Sequence, residues 1–364
     1  MDRKIRVGII FGGKSAEHEV SLQSAQSILR ALDPGRFEVT LIAIDKRGEW
    51  SLCDDTHYLT HADDPAQIAL QSSANPVALV SEGQGWQVTS RGRQEAGSLD
   101  VVFPVLHGSF GEDGTVQGLL KLANIPFVGA GVLGSAIGMD KDVAKRLLRD
   151  AGVPSAKFIA LAPRQAARIS FDQVADHLGA PFFLKPANMG SSVGVHKIAR
   201  EAEFADALQD AFAFDTKVLI EEFVDGRELE CAVLGNDDPQ ASCVGEIIPS
   251  HDFYSYEAKY LDENGALLRI PAEIDDDTAG RVRAEAIRAF QALCCEGMAR
   301  VDFFLRPDGE VLVNEINTIP GFTNISMFPK LWEASGLPYG KLVERLIELA
   351  VERFERESRL RTSR

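Results

Sequence analysis

Gly8-Ile9-Ile10-Phe11-Gly12-Gly13-Lys14-Ser15 fits the phosphate-loop pattern G-x-x-x-x-G-K-[ST] letter for letter, and the fold turns on whether its first glycine lies in a loop or in a strand. A phosphate cradle needs that glycine in the loop, where backbone N–H groups curl around oxygens ahead of a helix. Ile5-Arg6-Val7-Gly8-Ile9-Ile10-Phe11 is instead a short, β-branched apolar run ended by Gly12-Gly13, which reads as one buried strand with Gly8 inside it. The turn that remains is too short to hold phosphate. The stretch therefore opens a strand, a tight glycine turn and a helix from Glu17 to Leu32. Ala25, Ile28, Leu29 and Leu32 share one face of that helix, and Asp33-Pro34-Gly35 stops it. This is the first βα unit of an α/β sheet, and ligands gather near such turns.

A chain of 364 residues suits two or three packed domains, and 45% hydrophobic with 25% charged residues supports ordinary cores. The net charge of -16 argues against a nucleic-acid surface. Five cysteines without a C-x-x-C spacing suggest neither a disulfide framework nor a zinc site, and point to a reducing cytoplasm. The amino terminus runs straight into a strand, so neither a signal peptide nor a membrane span is expected.

Strand and helix alternate through the first third. Asp100 to Leu106 is another buried strand, and it ends in His107-Gly108, where an open α/β sheet places its ligands. A short strand is expected at Pro126-Phe127-Val128, and Asp45 to about Ser98 reads as a polar stretch. From Gly138 onward hairpins replace the alternation: strands are expected at Ala180 to Pro186, Val193 to Ile198 and Lys217 to Phe223. After Asp225-Gly226 come longer antiparallel strands and a loop rich in tyrosine. The expected division is 1–138, 139–226 and 227–364.

Two constellations carry chemistry. Lys185-Pro186-Ala187-Asn188-Met189-Gly190-Ser191-Ser192-Val193-Gly194 lies between strands, and its glycines and hydroxyls can close backbone donors over phosphates beside the Lys185 charge; taken alone it also reads as an ordinary Gly-Ser turn. Ala299 to Leu305 and Glu310 to Asn317 form a hairpin across Arg306-Pro307-Asp308-Gly309. Strand alternation puts Arg300 with Asp302, and Glu315 with Asn317. If Arg306 pairs with Gly309, Arg300 stands opposite Glu315 and all four share one face; a three-residue turn shifts that register. Two carboxylates and an amide carbonyl on one face suit magnesium rather than zinc. A solvated face carrying an ion pair is the alternative.

The motifs Gly12-Gly13-Lys14-Ser15-Ala16-Glu17-His18-Glu19-Val20-Ser21, His107-Gly108 with Gly111-Glu112-Asp113-Gly114, Lys185-Pro186 with Gly190 to Gly194, Tyr256 to Tyr260, and Asn314 to Thr318 with Pro320-Gly321 occur in this order. Together they resemble the D-alanine:D-alanine ligases of the ATP-grasp superfamily, nearly end to end. The resemblance implies α/β plus α+β architecture: an ATP-grasp fold with an amino-terminal Rossmann-like α/β domain. It implies ATP-dependent ligation of two D-alanine molecules through a D-alanyl phosphate, giving ADP, phosphate and the dipeptide of peptidoglycan precursors. By the same resemblance ATP and two Mg2+ serve as cofactors, with Mn2+ as an alternative and a monovalent cation as an addition, in a homodimer.

Roles follow residue by residue from that resemblance. Lys141 and Lys185 would bind phosphates under the loop of Gly190, Ser191, Ser192 and Val193. Glu221, Glu222, Phe223 and Val224 would meet adenine and Glu228 the ribose, with Phe304 and Asn314 in the nucleotide-binding set. Asp302, Glu315 and Asn317 would hold metal. Glu17 would take the first D-alanine ammonium with His107 nearby, in a hydrogen-bonded group with Ser191 and Tyr260. Ser326 and Met327 would hold the second D-alanine, Arg300 and the Gly321 N–H would stabilise the tetrahedral intermediate, and Lys259 would reach the transferred phosphate. Met189 stands where some relatives carry glutamate, which removes a polar link from this loop to the tyrosine loop. A D-alanine:D-lactate ligase and a non-catalytic nucleotide-binding regulator are the competing readings.

Overall fold

A computed structural model describes residues 3–53, 58–62, 64–65, 67–71, 76–82, 85–90, 93–249 and 266–361. Ile5–Gly12 is the expected strand, buried from Val7 onward. A side chain at Gly8 would place its Cβ 2.6 Å from Leu99 Cδ1, so the first glycine of the apparent phosphate loop serves packing inside a sheet. Phe37–Ile44 and Val101–Val105 flank it in parallel, and Trp50–Cys53 adds an antiparallel edge. Helix His18–Ala31 lays Leu22, Ala25 and Ile28 on this sheet.

Between the second strand and Val101 the chain adds small strands, among them the sheet of Val77–Glu82, Gly85–Ser90 and Arg93–Ser98, where the sequence suggested a polar stretch containing the apolar run Pro76 to Val80. The short strand expected at Pro126 to Val128 reduces to a bridge between Val102 and Phe127. Pro104 explains the stop. Val102 N–H donates to Pro126 O and Val128 N–H to Val102 O, and the next bond of this ladder needs an N–H that Pro104 lacks.

A second, antiparallel sheet runs in the order Phe158–Leu161, Val218–Glu222, Phe182–Pro186, His196–Ile198. Helices Phe171–Leu178 and Glu201–Phe214 cover one face with Val174, Phe204 and Ala211 against Phe182, Leu184 and Ile220. Its last strand begins at His196, not Val193, because Ser191 (φ 50°), Ser192 (φ 61°) and Gly194 (φ 67°) turn left-handed. The third sheet orders Ala266–Arg269, Gln240–Pro249, Arg227–Gly235, Gly297–Leu305 and Val311–Asn317, backed by helix Asp276–Ala292. Helix Tyr339–Ser358 returns to the first sheet, where buried Arg353 donates to Phe127 O at 2.7 Å and to Gly129 O. Among the described residues no helix is long and apolar enough to cross a membrane.

Candidate active site

The hairpin of the third sheet differs from the simple register in two places that compensate. Arg306 and Glu310, not Arg306 and Gly309, close the turn, with Arg306 N–H donating to Glu310 O at 2.9 Å. Gly309 sits at φ +86°, the left-handed position that ends a three-residue hairpin loop. Leu305 therefore faces Val311 and Phe303 faces Val313, a shift of one residue. Asn314 then bulges, so Asp302 faces Glu315 and Arg300 faces Asn317. Arg300 opposite Glu315 is thus corrected to Arg300 opposite Asn317, while the four side chains keep one face.

On that face the Arg300 guanidinium donates twice to Asp302, at 2.7 Å each, and pairs with Glu230 at 2.9 Å. Asn317 Nδ2 donates to Asp302 at 3.0 Å, which leaves its carbonyl oxygen for another partner. Asp302, Glu315 and Asn317 all border one cavity. Two carboxylates and an amide oxygen fit a hard divalent cation that completes its shell with water and phosphate oxygens.

Two cavities meet over this hairpin. The first, about 150 Å³, is bordered by Glu17, His107, Arg300, Gly321, Ser326 and Met327 together with the acidic face. The second, about 250 Å³, is bordered by Lys141, Lys185, Ser192, Glu221 to Val224 and Lys197. Gly190, Ser191, Glu228, Phe304, Asn314 and Glu315 border both and form the wall between them. The bulge at Asn314 is what lets adjacent residues 314 and 315 reach that wall. Val193 borders neither; its N–H closes a turn onto Gly190 O, and Val195 lines the cavity instead.

The glycine-rich loop lies over Glu17. Ser191 Oγ donates to Glu17 Oε1, and a Cβ on Gly190 would stand 3.0 Å from Glu17 Oε2. Asp215 anchors the start of the loop through the N–H and side-chain amide of Asn188, at 2.7 and 2.9 Å, and Lys141 Nζ donates to Met189 O at 2.7 Å while lying 3.4 Å from Glu315. Met189 Sδ lies 3.8 Å from Ser109 Oγ. Lys259 and Tyr260 fall outside the described residues.

Three groups at the site carry no role in the sequence reading. Lys145, one helical turn beyond Lys141, is fully buried 3.3 Å from Glu221, which Lys185 also meets at 2.7 Å. Burial pulls the Lys145 ammonium down, and burial alone would raise Glu221, but the two lysines overcome it and hold that carboxyl below its usual range. Glu230 pairs with Arg300 from the neighbouring strand. Glu112 accepts from Gly108 N–H at 2.7 Å and Ile319 N–H at 3.1 Å, and burial reinforced by Glu17 pushes it up to about 8. Glu112 belongs to the turn motif Gly111-Glu112-Asp113-Gly114; Lys145 had a signal in its i+4 spacing from Lys141, which sets both on one helix face.

The family model described as D-ala D-ala ligase N-terminus matches residues 6–130, and the one described as D-ala D-ala ligase C-terminus matches 147–348. The chain is 56% identical to D-alanine–D-alanine ligase A of Chromobacterium violaceum and 55% identical to that of Escherichia coli K12, each covering 99% of both chains. Among solved structures it resembles the D-alanine-D-alanine ligase from Coxiella burnetii (TM-score 0.85, 38% identity, 98% of this chain and 97% of that one). It also resembles the VanG D-Ala:D-Ser ligase from Enterococcus faecalis (0.81, 35%, 96% and 100%). An α/β sheet beside two antiparallel sheets that enclose paired cavities is the ATP-grasp architecture of these relatives, and the chain belongs to the D-alanine–D-alanine ligase family.

Proposed function

We propose that the two cavities divide one reaction between them, with ATP in the larger, both amino acids in the smaller, and phosphoryl transfer across their common wall. The reaction is the ATP-dependent joining of two D-alanine molecules for peptidoglycan synthesis. The shared border of Gly190, Ser191, Glu228, Phe304, Asn314 and Glu315 carries the proposal, because among the described residues these six line both cavities and so bring a reactant in each next to the other.

In the larger cavity Lys141 and Lys185 meet the phosphates and the loop of Gly190, Ser191 and Ser192 covers them; Glu221 to Val224 face the adenine and Glu228 the ribose. In the smaller, Glu17 takes the ammonium of the first D-alanine, directed by Ser191, with His107 beside it; Ser326 and Met327 border the second. A carboxylate oxygen of the first D-alanine attacks the γ-phosphorus and ADP departs. The amine of the second attacks the acyl carbon, loses a proton, and phosphate leaves with its bridging oxygen. Arg300 and the Gly321 N–H face the oxygen that gains charge, where fixed donors act most strongly. Asp302, Glu315 and Asn317 would hold two Mg2+, or Mn2+, and the ions would supply positive charge against the phosphate oxygens. Lys259 and Tyr260, outside the described residues, keep the roles that the family resemblance implies, and a monovalent cation, a homodimer, a cytoplasmic setting and the division 1–138, 139–226 and 227–364 complete the proposal.

The test combines protein, ATP, Mg2+ and D-alanine against an L-alanine control, with D-lactate as an alternative acceptor. Phosphate released only with D-alanine and matched one to one by dipeptide is expected. ATP binding without phosphate release would favour a nucleotide-binding regulator instead.

A further inference from the structure

The turn Ile319-Pro320-Gly321-Phe322 is held at both ends by groups to which the reaction steps above give no bond to make or break. Ile319 donates its N–H to Glu112 at 3.1 Å and accepts at its carbonyl from His107 Nδ1 at 2.9 Å. Phe322 donates its N–H to Ser24 Oγ at 3.1 Å and accepts at its carbonyl from Tyr339 OH at 2.8 Å. Pro320 has no N–H. Every polar group of the two flanking residues is thus fixed, and the Gly321 N–H lies between them at the cavity border.

The remaining contact joins the two ends. Ser24 Oγ lies 3.2 Å from His107 Nε2, and both residues are buried. A carbonyl only accepts, so Nδ1 carries the imidazole proton toward Ile319 O. In the neutral ring Nε2 must then accept, and the Ser24 hydroxyl donates to it while its lone pair takes the Phe322 N–H. The protons run one way: Phe322 N–H to Ser24, Ser24 O–H to His107, His107 Nδ1–H to Ile319 O.

We propose that Ser24 and His107 are positioning residues whose linked hydroxyl and imidazole hold the 319–322 turn, and so aim the Gly321 N–H at the oxyanion of the tetrahedral intermediate. This rests on the reading of Gly321 given above. It also takes His107 out of proton transfer, since both ring nitrogens are engaged. Burial keeps the ring neutral against the opposing pull of Glu17 and of the Ile319 bond.

Two measurements test it. Nitrogen NMR of the intact protein, without substrates, should find His107 as the Nδ1–H tautomer with no titration between about pH 5.5 and 8.5. An Nε2–H tautomer, or a ring that titrates in that range, overturns the relay even if dipeptide synthesis is intact. Ser24→Ala should lower kcat by roughly tenfold to a hundredfold, with KM for ATP and the first D-alanine changed less than about twofold. Ser24→Thr, which keeps the hydroxyl, should restore most of kcat. Unchanged kcat in Ser24→Ala, or a loss confined to KM, refutes the aiming role while leaving the ligase assignment standing. If Ser24→Ala does not fold, the kinetic comparison passes to Ser24→Thr and Ser24→Cys: kcat should fall in the thiol variant, a weaker donor, and equal values refute the relay.

Discussion

Lys145→Met removes a buried charge and keeps the length of the side chain, so it isolates what Lys145 does for Glu221. At 3.3 Å, an effective dielectric of about 20 gives an attraction of about 5 kcal/mol to Glu221. The variant recovers the desolvation of one ion, itself several kcal/mol, and Glu221 keeps Lys185 at 2.7 Å. The net cost is then about 1–3 kcal/mol, below the ~3–5 kcal/mol expected when a buried charge loses its last partner. The variant also leaves one cation for one carboxylate, so the Lys185 ammonium is neutralised by Glu221 instead of serving phosphate. ATP affinity should fall about tenfold, or 1.4 kcal/mol. Because the two lysines depress the Glu221 pKa, the stability they confer is present above the usual carboxylate range and is lost on acidification; in the variant that loss should begin at higher pH. Urea unfolding of Lys145→Met, Glu221→Gln and the double variant gives the coupling, and ATP titration of the first gives the affinity. A coupling below about 0.5 kcal/mol refutes the reasoning, since residues in one ionic network couple by more than that.

Glu112 carries a folded pKa of about 8 against an ordinary 4.5, so between those values the folded state alone holds the proton and stability falls as pH rises. Glu112→Gln should flatten the melting temperature across that window in substrate-free protein; an unchanged slope would assign the pH dependence elsewhere. Asp302→Asn removes one of two carboxylates proposed for metal and should raise half-saturating Mg2+ at least roughly tenfold, measured by dipeptide formation at fixed ATP, and an unaltered Mg2+ curve counts against its role. Gly321→Ala keeps the backbone N–H but would bring a Cβ to 2.8 Å from Ser326 Oγ, so displacement of the turn should cut kcat roughly tenfold to a hundredfold with ATP binding retained; full activity would refute the claim that the aim of this turn limits the rate.

The first strand and its helix are legible because an unbroken apolar run ends at two glycines, and no tertiary contact is needed to read it. Helix Val132–Met139 is not legible, because Gly131, Gly134 and Gly138 lower the helix propensity of so short a segment. Those glycines answer to neighbours remote in the chain: a Cβ on Gly134 would stand 2.5 Å from Cys294 O, and one on Gly138 2.8 Å from Thr318 Cγ2. The same holds for Ser24 and Lys145. Each sits on an otherwise ordinary amphipathic helix, and only the fold shows that its polar atom is buried against Phe322 and His107, or against Glu221.

The acidic hairpin shows how a conclusion can survive when its register does not. Alternation fixes which residues of one strand share a face, but a shift of one residue reverses the facing of the partner strand. The three-residue turn makes that shift, and without a second irregularity Arg300 would oppose Ile316. The bulge at Asn314 supplies it and brings Asp302 opposite Glu315. It also turns two consecutive residues toward the wall between the cavities, which an unbulged strand does not do. Turn and bulge are therefore one device: removing either alone should expose Ile316 to the acidic face and turn Glu315 away from Asp302.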